Sequence, residues 1–541
     1  MRAGAPCQAT IRRAMDAVAA NDWRRLLHQA QQPGDVQRAL LRALLERQAG
    51  TAFGQKYDFA RLQDEREYRR AVPIHQYEDL RPLIERQEET KGACLTVEQP
   101  VGYTRTSGTT GQPKYLPVLP RTLDALARFQ RLFSYSQYQG VPTIFEGRVL
   151  VLSGHAVEGT LATGAPYGSL SGLLFDALPL PIRRKDLLSP AVRAMTDPKA
   201  RYWHAAACAL ADPELSVIAT PNPSTLLKLM DIIREQFADL IDALAVRRAV
   251  GGVAMPWIST HRQARLQALL RQRSELTYAT LWPQLRAVIM WTGGNCGVLV
   301  PRVRSLVPSE AALIEMGYLS SECLGSLNVD VRHNRCVPTF WDHVFEFVPL
   351  SEWESAQPAT LGLEDVEVGQ KYHVVVTTAA GLYRYAMNDI VEVTGRFHAT
   401  PTIQFVQKGK GVTNITGEKL YEHQVTASVE AVLARSSVAC EFYVVLADVE
   451  AQEYVLYLDG SPRAEDLARA VESELMARNV EYQAKRESAR LRPLRVYPVR
   501  HGVAEAYRAY CVASGQRDAQ FKLVRLQYRH ECTFDFTPFL G

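Results

Sequence analysis

Three apolar runs constrain the fold of this chain more than any other feature: RVLVLSG at 148–154, LSVIATPN at 215–222 and LRAVIMWTGG at 285–294. Each is unbroken rather than alternating, and each ends in small or turn-forming residues. A strand that is apolar at every position is buried on both faces, so other elements must cover it above and below. The second run feeds directly into Leu226, Leu229, Met230, Ile233, Phe237, Leu240, Ile241 and Leu244 at three- and four-residue spacing. That stripe predicts one core-facing helix in which Met230 and Phe237 are packing residues.

The flanking sequence extends the pattern. The first hundred residues read mainly as helix, with Leu26, Leu40, Leu41, Leu44 and Leu45 set among charges. From about Val344 the texture turns to strands: VFEFVPL, KYHVVVTT, DIVEVTG and TIQFVQK. Beyond Lys408 the order is a helix at 420–434, strands EFYVVLAD and EYVLYLDG, a helix from Arg463 to Arg478 and a strand around LRVYPV. This alternation predicts a small α+β domain. A chain of 541 residues is too long for one ordinary core. The expected fold class is therefore α/β, with a large N-terminal α/β domain over 1–406 and a smaller α+β domain over 407–541. The boundary is placed near Gln407–Gly411, where Lys and Gly alternate.

Hydrophobic residues make up 47% and charged residues 22%, the balance of a soluble globular protein. The 62 basic and 58 acidic residues nearly cancel, so neither nucleic acid nor an anionic membrane is expected as a partner. The short run Arg183, Arg184 and Lys185 reads as a solvated loop. Nine cysteines without a C-x-x-C pair argue against a zinc site or a disulfide framework. They suit reduced thiols in a cytoplasmic protein. Cys323 could be a nucleophile, but no neighbouring pattern supports that. No apolar run approaches the roughly 20 residues needed to cross a bilayer, and the first residues lack the apolar core of a secretory signal.

The densest chemistry lies in YTRTSGTTGQPK, from Tyr103 to Lys114. A strand, PVGYTRT, runs into a turn of hydroxyls and glycines that closes on a lysine. Gly108 and Gly111 let the backbone approach a triphosphate. Ser107, Thr109, Thr110 and the local amides can donate to phosphate oxygens, and Lys114 supplies positive charge. The nucleotide-kinase loop is excluded because Pro113 precedes the lysine and Tyr115 follows it. No G-x-S-x-G elbow suggests a serine hydrolase. The alternative is a surface loop of small residues.

A second segment is GYLSSECLG, from Gly317 to Gly325. Tyr318 suits adenine stacking, Ser320 and Ser321 suit phosphates, and Glu322 suits a magnesium ion carried on substrate phosphates. A third is GLYRYAMND, ending at Asp389 as a strand opens. A carboxylate there can bind both ribose hydroxyls, though a turn-forming Asn-Asp pair is an equal alternative.

Together these segments resemble the Gretchen Hagen 3 family of acyl acid-amido synthetases, a branch of the acyl-adenylate-forming enzymes. The resemblance runs through VPIHQYEDLRPLIER (72–86), TSGTTGQPKYLPV (106–118), LWPQLRAVIMWTGG (281–294) and YLSSECLGSLN (318–328). FEFVPL (345–350), TTAAGLYRYAMNDIVEVTG (377–395), FVQKGKGVTNITGEKLYE (405–422) and SGQRDAQFKLVR (514–525) continue it. It implies an adenylate-forming N-terminal domain and a mobile C-terminal domain that rotates between two half-reactions. It implies ATP and Mg2+ as cofactors, with a small carboxylic acid and an amine, an amino acid, as substrates.

Carried over by position, Ser107, Gly108, Thr109, Thr110, Gly111, Lys114 and Ser321 bind phosphates. Thr292, Gly293, Gly294 and Asn295 line the adenine side, and Tyr318 contacts the adenine. Asp389 binds ribose, Glu322 binds metal, Lys408 is the hinge residue, and Lys522 is the catalytic lysine of the small domain. The chain departs from the family at Asn388, where a Gly is usual, at Lys408-Gly409 for an Arg-Lys pair, and at Thr416-Gly417-Glu418 for a more acidic stretch. The acyl pocket carries no transferable motif; Phe129, Phe133 and Tyr135 could line it or belong to the core. The resemblance implies an ATP-dependent carbon–nitrogen ligase, with a monomer expected. Transfer to coenzyme A or a carrier thiol, or a non-catalytic nucleotide-binding homologue, are the rival readings.

Overall fold

In a computed structural model, residues 8–106, 113–353, 355, 357–409, 411–436, 440, 442–459, 464–500, 502–513 and 523–540 are described. The chain divides into two compact units, one comprising Met1–Arg105 with Lys114–Gln407 and the other Thr106–Pro113 with Lys408–Gly541.

The first unit opens with helices, among them Gln8–Gln29, Pro33–Gln48 and Tyr77–Thr90. Strands β1 (Gly102–Thr106) and β2 (Lys114–Val118) follow as neighbours in one sheet. The three apolar runs form β3 (Arg148–Val151), β4 (Leu215–Ala219) and β5 (Ala287–Met290), joined by β6 (Ala312–Glu315). They pair in the order β6-β5-β4-β3, all parallel, with Val149 opposite Val217, Val217 opposite Ala287 and Met290 opposite Glu315.

The unbroken hydrophobicity has a direct cause: this sheet separates two cores. Val149, Val217, Ala287 and Ile289 face one cluster. Their neighbours Leu150, Ile218, Val288 and Met290 face another. Met230 and Phe237 lie in that second cluster, as the stripe requires. The stripe itself is two helices rather than one, Pro223–Glu235 and Phe237–Ala245, because Gln236 leaves helical geometry (φ −121°, ψ 24°). Leu240, Ile241 and Leu244 still reach the same core, so the periodicity survives the break.

The strand-rich stretch forms an antiparallel sheet of β7 (His343–Pro349), β8 (Lys371–Thr378), β9 (Tyr385–Phe397) and β10 (Thr400–Lys408), paired in chain order. Asp389 lies inside β9 rather than at its entrance. The ladder breaks there: His373 pairs with Ile390 and Val375 with Ala386, so Val374 faces three residues. Asn388 takes up the irregularity with a left-handed φ of 52°, a conformation that Asn tolerates in place of Gly.

The second unit has its own sheet, β11 (Tyr443–Asp448), β12 (Glu453–Asp459), β13 (Arg495–Val499) and β14 (Leu526–Tyr528), in the order β13-β12-β11-β14. Helices Glu422–Ser436 and Ala464–Arg478 accompany it, close to the predicted spans. Its core gathers Val425, Val429, Val445, Leu456 and Leu475. Glu418 is fully buried there, accepting from the Ile415 and Thr416 amides, the Thr416 hydroxyl and the Tyr454 hydroxyl. It organises its own loop.

Candidate active site

In a parallel sheet, ligands collect beyond the carboxyl ends of the strands, where loops diverge and backbone groups are free to recognise them. Here those ends lead into the sequence motifs. β5 runs into Thr292, Gly293 and Gly294; β6 runs into Gly317 and Tyr318.

The β5 loop turns sharply at Gly294 (φ 55°) into a 3-10 turn over Gly294–Leu299. A Cβ on Gly294 would lie 2.7 Å from the Val406 carbonyl oxygen, and one on Gly293 would lie 3.0 Å from the Gln404 amide nitrogen. The turn therefore rests directly on β10; at Gly294 the backbone contact and the positive φ require glycine, while at Gly293 a larger residue would have to displace the Gln404 side chain. Asn295 belongs to the same turn by its backbone.

The β6 loop is a tight hairpin closed by the Leu319–Leu324 bridge. The Ser320 amide and hydroxyl both donate to the Cys323 carbonyl, and the Cys323 amide donates back to the Ser320 hydroxyl. Ser320 thus shapes the hairpin, leaving Ser321 and Glu322 at its half-buried tip. The Ser321 carbonyl accepts from the Thr104 hydroxyl at 3.3 Å, which ties β1, the strand entering the glycine-rich loop, to this hairpin. Ser107, Gly108, Thr109, Thr110 and Gly111 lie outside the described residues, as does Lys522. Lys114 opens β2, is buried, and holds its ammonium 5.3 Å from the centre of the Tyr77 ring.

Tyr318 is the centre of the arrangement. Its amide donates to the Ser326 hydroxyl at 2.8 Å, and Gly325 leaves room for the ring, where a Cβ would stand 2.3 Å from it. One ring face stacks near-parallel (14°) on Phe405 of β10, with centroids 5.9 Å apart. Its hydroxyl donates to Oδ2 of Asp389 at 2.6 Å. Burial first, then the neighbouring Asp389, Cys323 and Glu322, raises the phenol well above its usual range. It therefore stays protonated and remains a donor. Of the sequence candidates, Gly293, Gly294, Ser321, Glu322, Tyr318 and Asp389 belong to this region; Lys408 ends β10.

Among the described residues, no group of three or more His, Cys, Asp and Glu side chains forms a metal cage. Magnesium carried on substrate phosphates needs only one or two protein carboxylates, and Glu322, close enough to act on the Tyr318 hydroxyl, fits that need. Phe129, Phe133 and Tyr135 are buried in the core of the first unit. Cys323 is buried, and the eight described cysteines are all free.

Sequence reasoning missed Glu315, the last residue of β6. It is buried and accepts from the Thr292 amide and hydroxyl, the Gly293 amide and the Gly317 amide. The signal was present: a carboxylate ending an apolar strand must find donors. Phe405 was missed as well, because its strand reads only as structure.

Comparison with known proteins identifies the family. The GH3 family N-terminal domain matches residues 23–312, the GH3 family central domain 337–408 and the GH3 family C-terminal domain 423–531. The indole-3-acetic acid-amido synthetase GH3.3 of Arabidopsis thaliana is 22% identical over 534 residues, covering 91% of this chain and 89% of its own. The jasmonoyl–L-amino acid synthetase JAR4 of Nicotiana attenuata is 22% identical over 431 residues, covering 74% of this chain and 73% of its own. The solved GH3.15 acyl acid amido synthetase shares the fold, with a TM-score of 0.63, 19% identity, and coverage of 95% of this chain and 96% of its own. The chain belongs to the Gretchen Hagen 3 (GH3) family.

Proposed function

We propose that this protein is an ATP-dependent acyl acid-amido synthetase, which adenylates a small carboxylic acid and passes the acyl group to an amino acid. The observation that carries the reading is the Tyr318–Asp389 hydrogen bond, set beside a glycine turn at the carboxyl ends of parallel strands. In this reading Tyr318 is the platform for the base and Asp389 the carboxylate for the sugar, and the bond between them supports it. Relatives named as amido synthetases over most of the chain support the same chemistry.

In the first half-reaction a carboxylate oxygen of the acid attacks the α-phosphorus of ATP. The α–β phosphoanhydride bond breaks and pyrophosphate leaves with its electron pair. Negative charge grows on the phosphates, so fixed donors lower the barrier: the amides and hydroxyls of Ser107 to Gly111, the Lys114 ammonium and the Ser321 segment. Lys522 is the further cation that the family resemblance assigns to this step. Magnesium, when bound through Glu322, neutralises phosphate charge. Asp389 accepts from the ribose hydroxyls, while the adenine lies along Gly293, Gly294 and Asn295 against Tyr318. In the second half-reaction the amine nitrogen attacks the acyl carbon, the mixed anhydride bond breaks, AMP leaves, and the amine proton passes to solvent. Holding the amine against the carbon provides most of that acceleration. Lys408 serves as the hinge between the two steps. Eight free cysteines suit a cytosolic enzyme.

The test is a screen of acids against amines, read as AMP release and product mass. Amide products that depend on ATP are expected. Thioesters formed from competing thiols would reassign the acceptor, and no AMP from any acid would remove the reading.

A further inference from the structure

We infer that Glu315 is a positioning residue for ATP: it sets the adenine-side turn against the tyrosine platform without touching the nucleotide itself. The inference rests on the function proposed above and concerns how that site is built.

The geometry is specific. Strands β5 and β6 end side by side, with Met290 opposite Glu315, and their loops then diverge. Oε2 of Glu315 accepts from the Thr292 amide at 2.6 Å, the Thr292 hydroxyl at 2.6 Å and the Gly293 amide at 3.0 Å. Oε1 accepts from the Gly317 amide at 2.8 Å. One carboxylate therefore satisfies both loops, one oxygen to each. The residue is itself fixed on both sides: its amide donates to the Asn334 side-chain oxygen at 2.8 Å, and its carbonyl accepts from the Asn328 side chain at 2.9 Å. A bond from the Trp291 indole to the Gly317 carbonyl, 3.0 Å, runs parallel to the same clasp.

Only a glutamate serves this role. All four donors point at the side chain, so both oxygens must be acceptors. Glutamine would turn an NH2 group toward one of the loops and oppose donor to donor. Aspartate is one methylene short of spanning them. Charge-assisted bonds to a buried carboxylate are the stronger kind, which suits a clasp that must hold Gly293 and Tyr318 in fixed relation. Among the contacts described, no other charged residue bonds to both of these loops.

The measurement is the equilibrium dissociation constant for ATP of Glu315→Gln against the wild type, alongside steady-state constants for ATP, acid and amine. Binding and KM for ATP are expected to weaken about tenfold or more, the scale of one lost charge-assisted hydrogen bond. The KM values for acid and amine, and kcat at saturating ATP, should stay close to wild type. An unchanged ATP affinity with a lowered kcat would mean that Glu315 only keeps the protein folded, and would overturn the inference. If Glu315→Gln does not fold, Thr292→Val removes one hydroxyl donor while keeping the backbone. A several-fold loss of ATP affinity is then expected, and unchanged affinity overturns the inference. A wild type that binds ATP but forms no AMP with any acid would remove the ligase reading, while the affinity comparison still decides the role of Glu315.

Discussion

The Tyr318 hydroxyl lies 2.6 Å from Oδ2 of Asp389, joining two segments 71 residues apart in the chain. One comes from the loop after β6 and the other from the irregular stretch of β9. Their meeting makes a single buried pair of an aromatic donor and a carboxylate, with Phe405 behind the ring. The bond leaves a hydrophobic platform and an orienting charge fixed against each other before any ligand arrives.

Tyr318→Phe keeps the ring and its stacking but leaves Asp389 without this donor. A hydrogen bond to a charged group contributes about 1.5–3 kcal/mol, so ATP affinity should fall roughly ten- to a hundredfold. Titration of ATP binding checks this. Unchanged affinity would show that the Asp389 carboxylate does not need Tyr318 to hold it.

Glu322→Gln preserves shape and removes charge at the hairpin tip. The magnesium concentration giving half-maximal pyrophosphate release should rise several-fold, with the protein still folded. A superimposable magnesium titration would assign the ion to phosphates alone.

Much of this site was legible in the sequence, and the reasons differ by residue. Tyr318 was singled out within its own segment, as an aromatic ahead of two hydroxyls and a carboxylate, whereas Gly293 and Gly294 read locally only as the end of a strand and owed their adenine-side role to the family resemblance. Asp389 was visible as a carboxylate, but its place inside β9 was not, since the break opposite Val374 is a property of pairing with a distant strand. Gln236 split one expected helix into two because periodicity records which face is buried and not where the backbone turns. Glu315 was missed, and Glu418 was noted only as part of a departure from the family, for a common reason. Each binds amides in its own or a neighbouring loop, and no spacing rule encodes that.

The motif arginine of GLYRYAMND is structural. Arg384, left-handed at φ 42°, donates Nε and Nη2 to the two oxygens of Glu346, 2.9 Å each, and Nη1 to the Arg69 and Val72 carbonyls. Both partners are buried. Arg384→Met leaves the buried Glu346 carboxylate to Arg69, 3.4 Å away, and the Thr360 hydroxyl, 2.7 Å away, and should cost about 3 kcal/mol of stability, the lower end for breaking a buried pair. Pairing it with Glu346→Leu should recover part of that loss. Urea unfolding of the two variants provides the comparison; equal losses would contradict a coupled pair.

His343 makes the first unit sensitive to acid. Both ring nitrogens are buried without a hydrogen-bond partner among the described residues, and burial, aided by Arg128, lowers its pKa to about 4 from the usual 6.5. The unfolded chain therefore binds the extra proton first. Stability should fall as pH drops from about 6.5 to about 4, by roughly 3 kcal/mol from this group. Burial of the adjacent Asp342 raises its pKa and works in the opposite sense, so the contribution is read by difference. His343→Leu should flatten the stability–pH slope in that window. A slope identical to wild type would remove His343 as the cause.

The most direct test of the whole account is a crystal structure with a non-hydrolysable ATP analogue. The account predicts one nucleotide whose base lies against Gly293, Gly294 and Tyr318, whose ribose hydroxyls donate to Asp389, and whose phosphates lie between Ser107 and Glu322. A nucleotide bound elsewhere, with Asp389 still engaged only by protein groups, would contradict it.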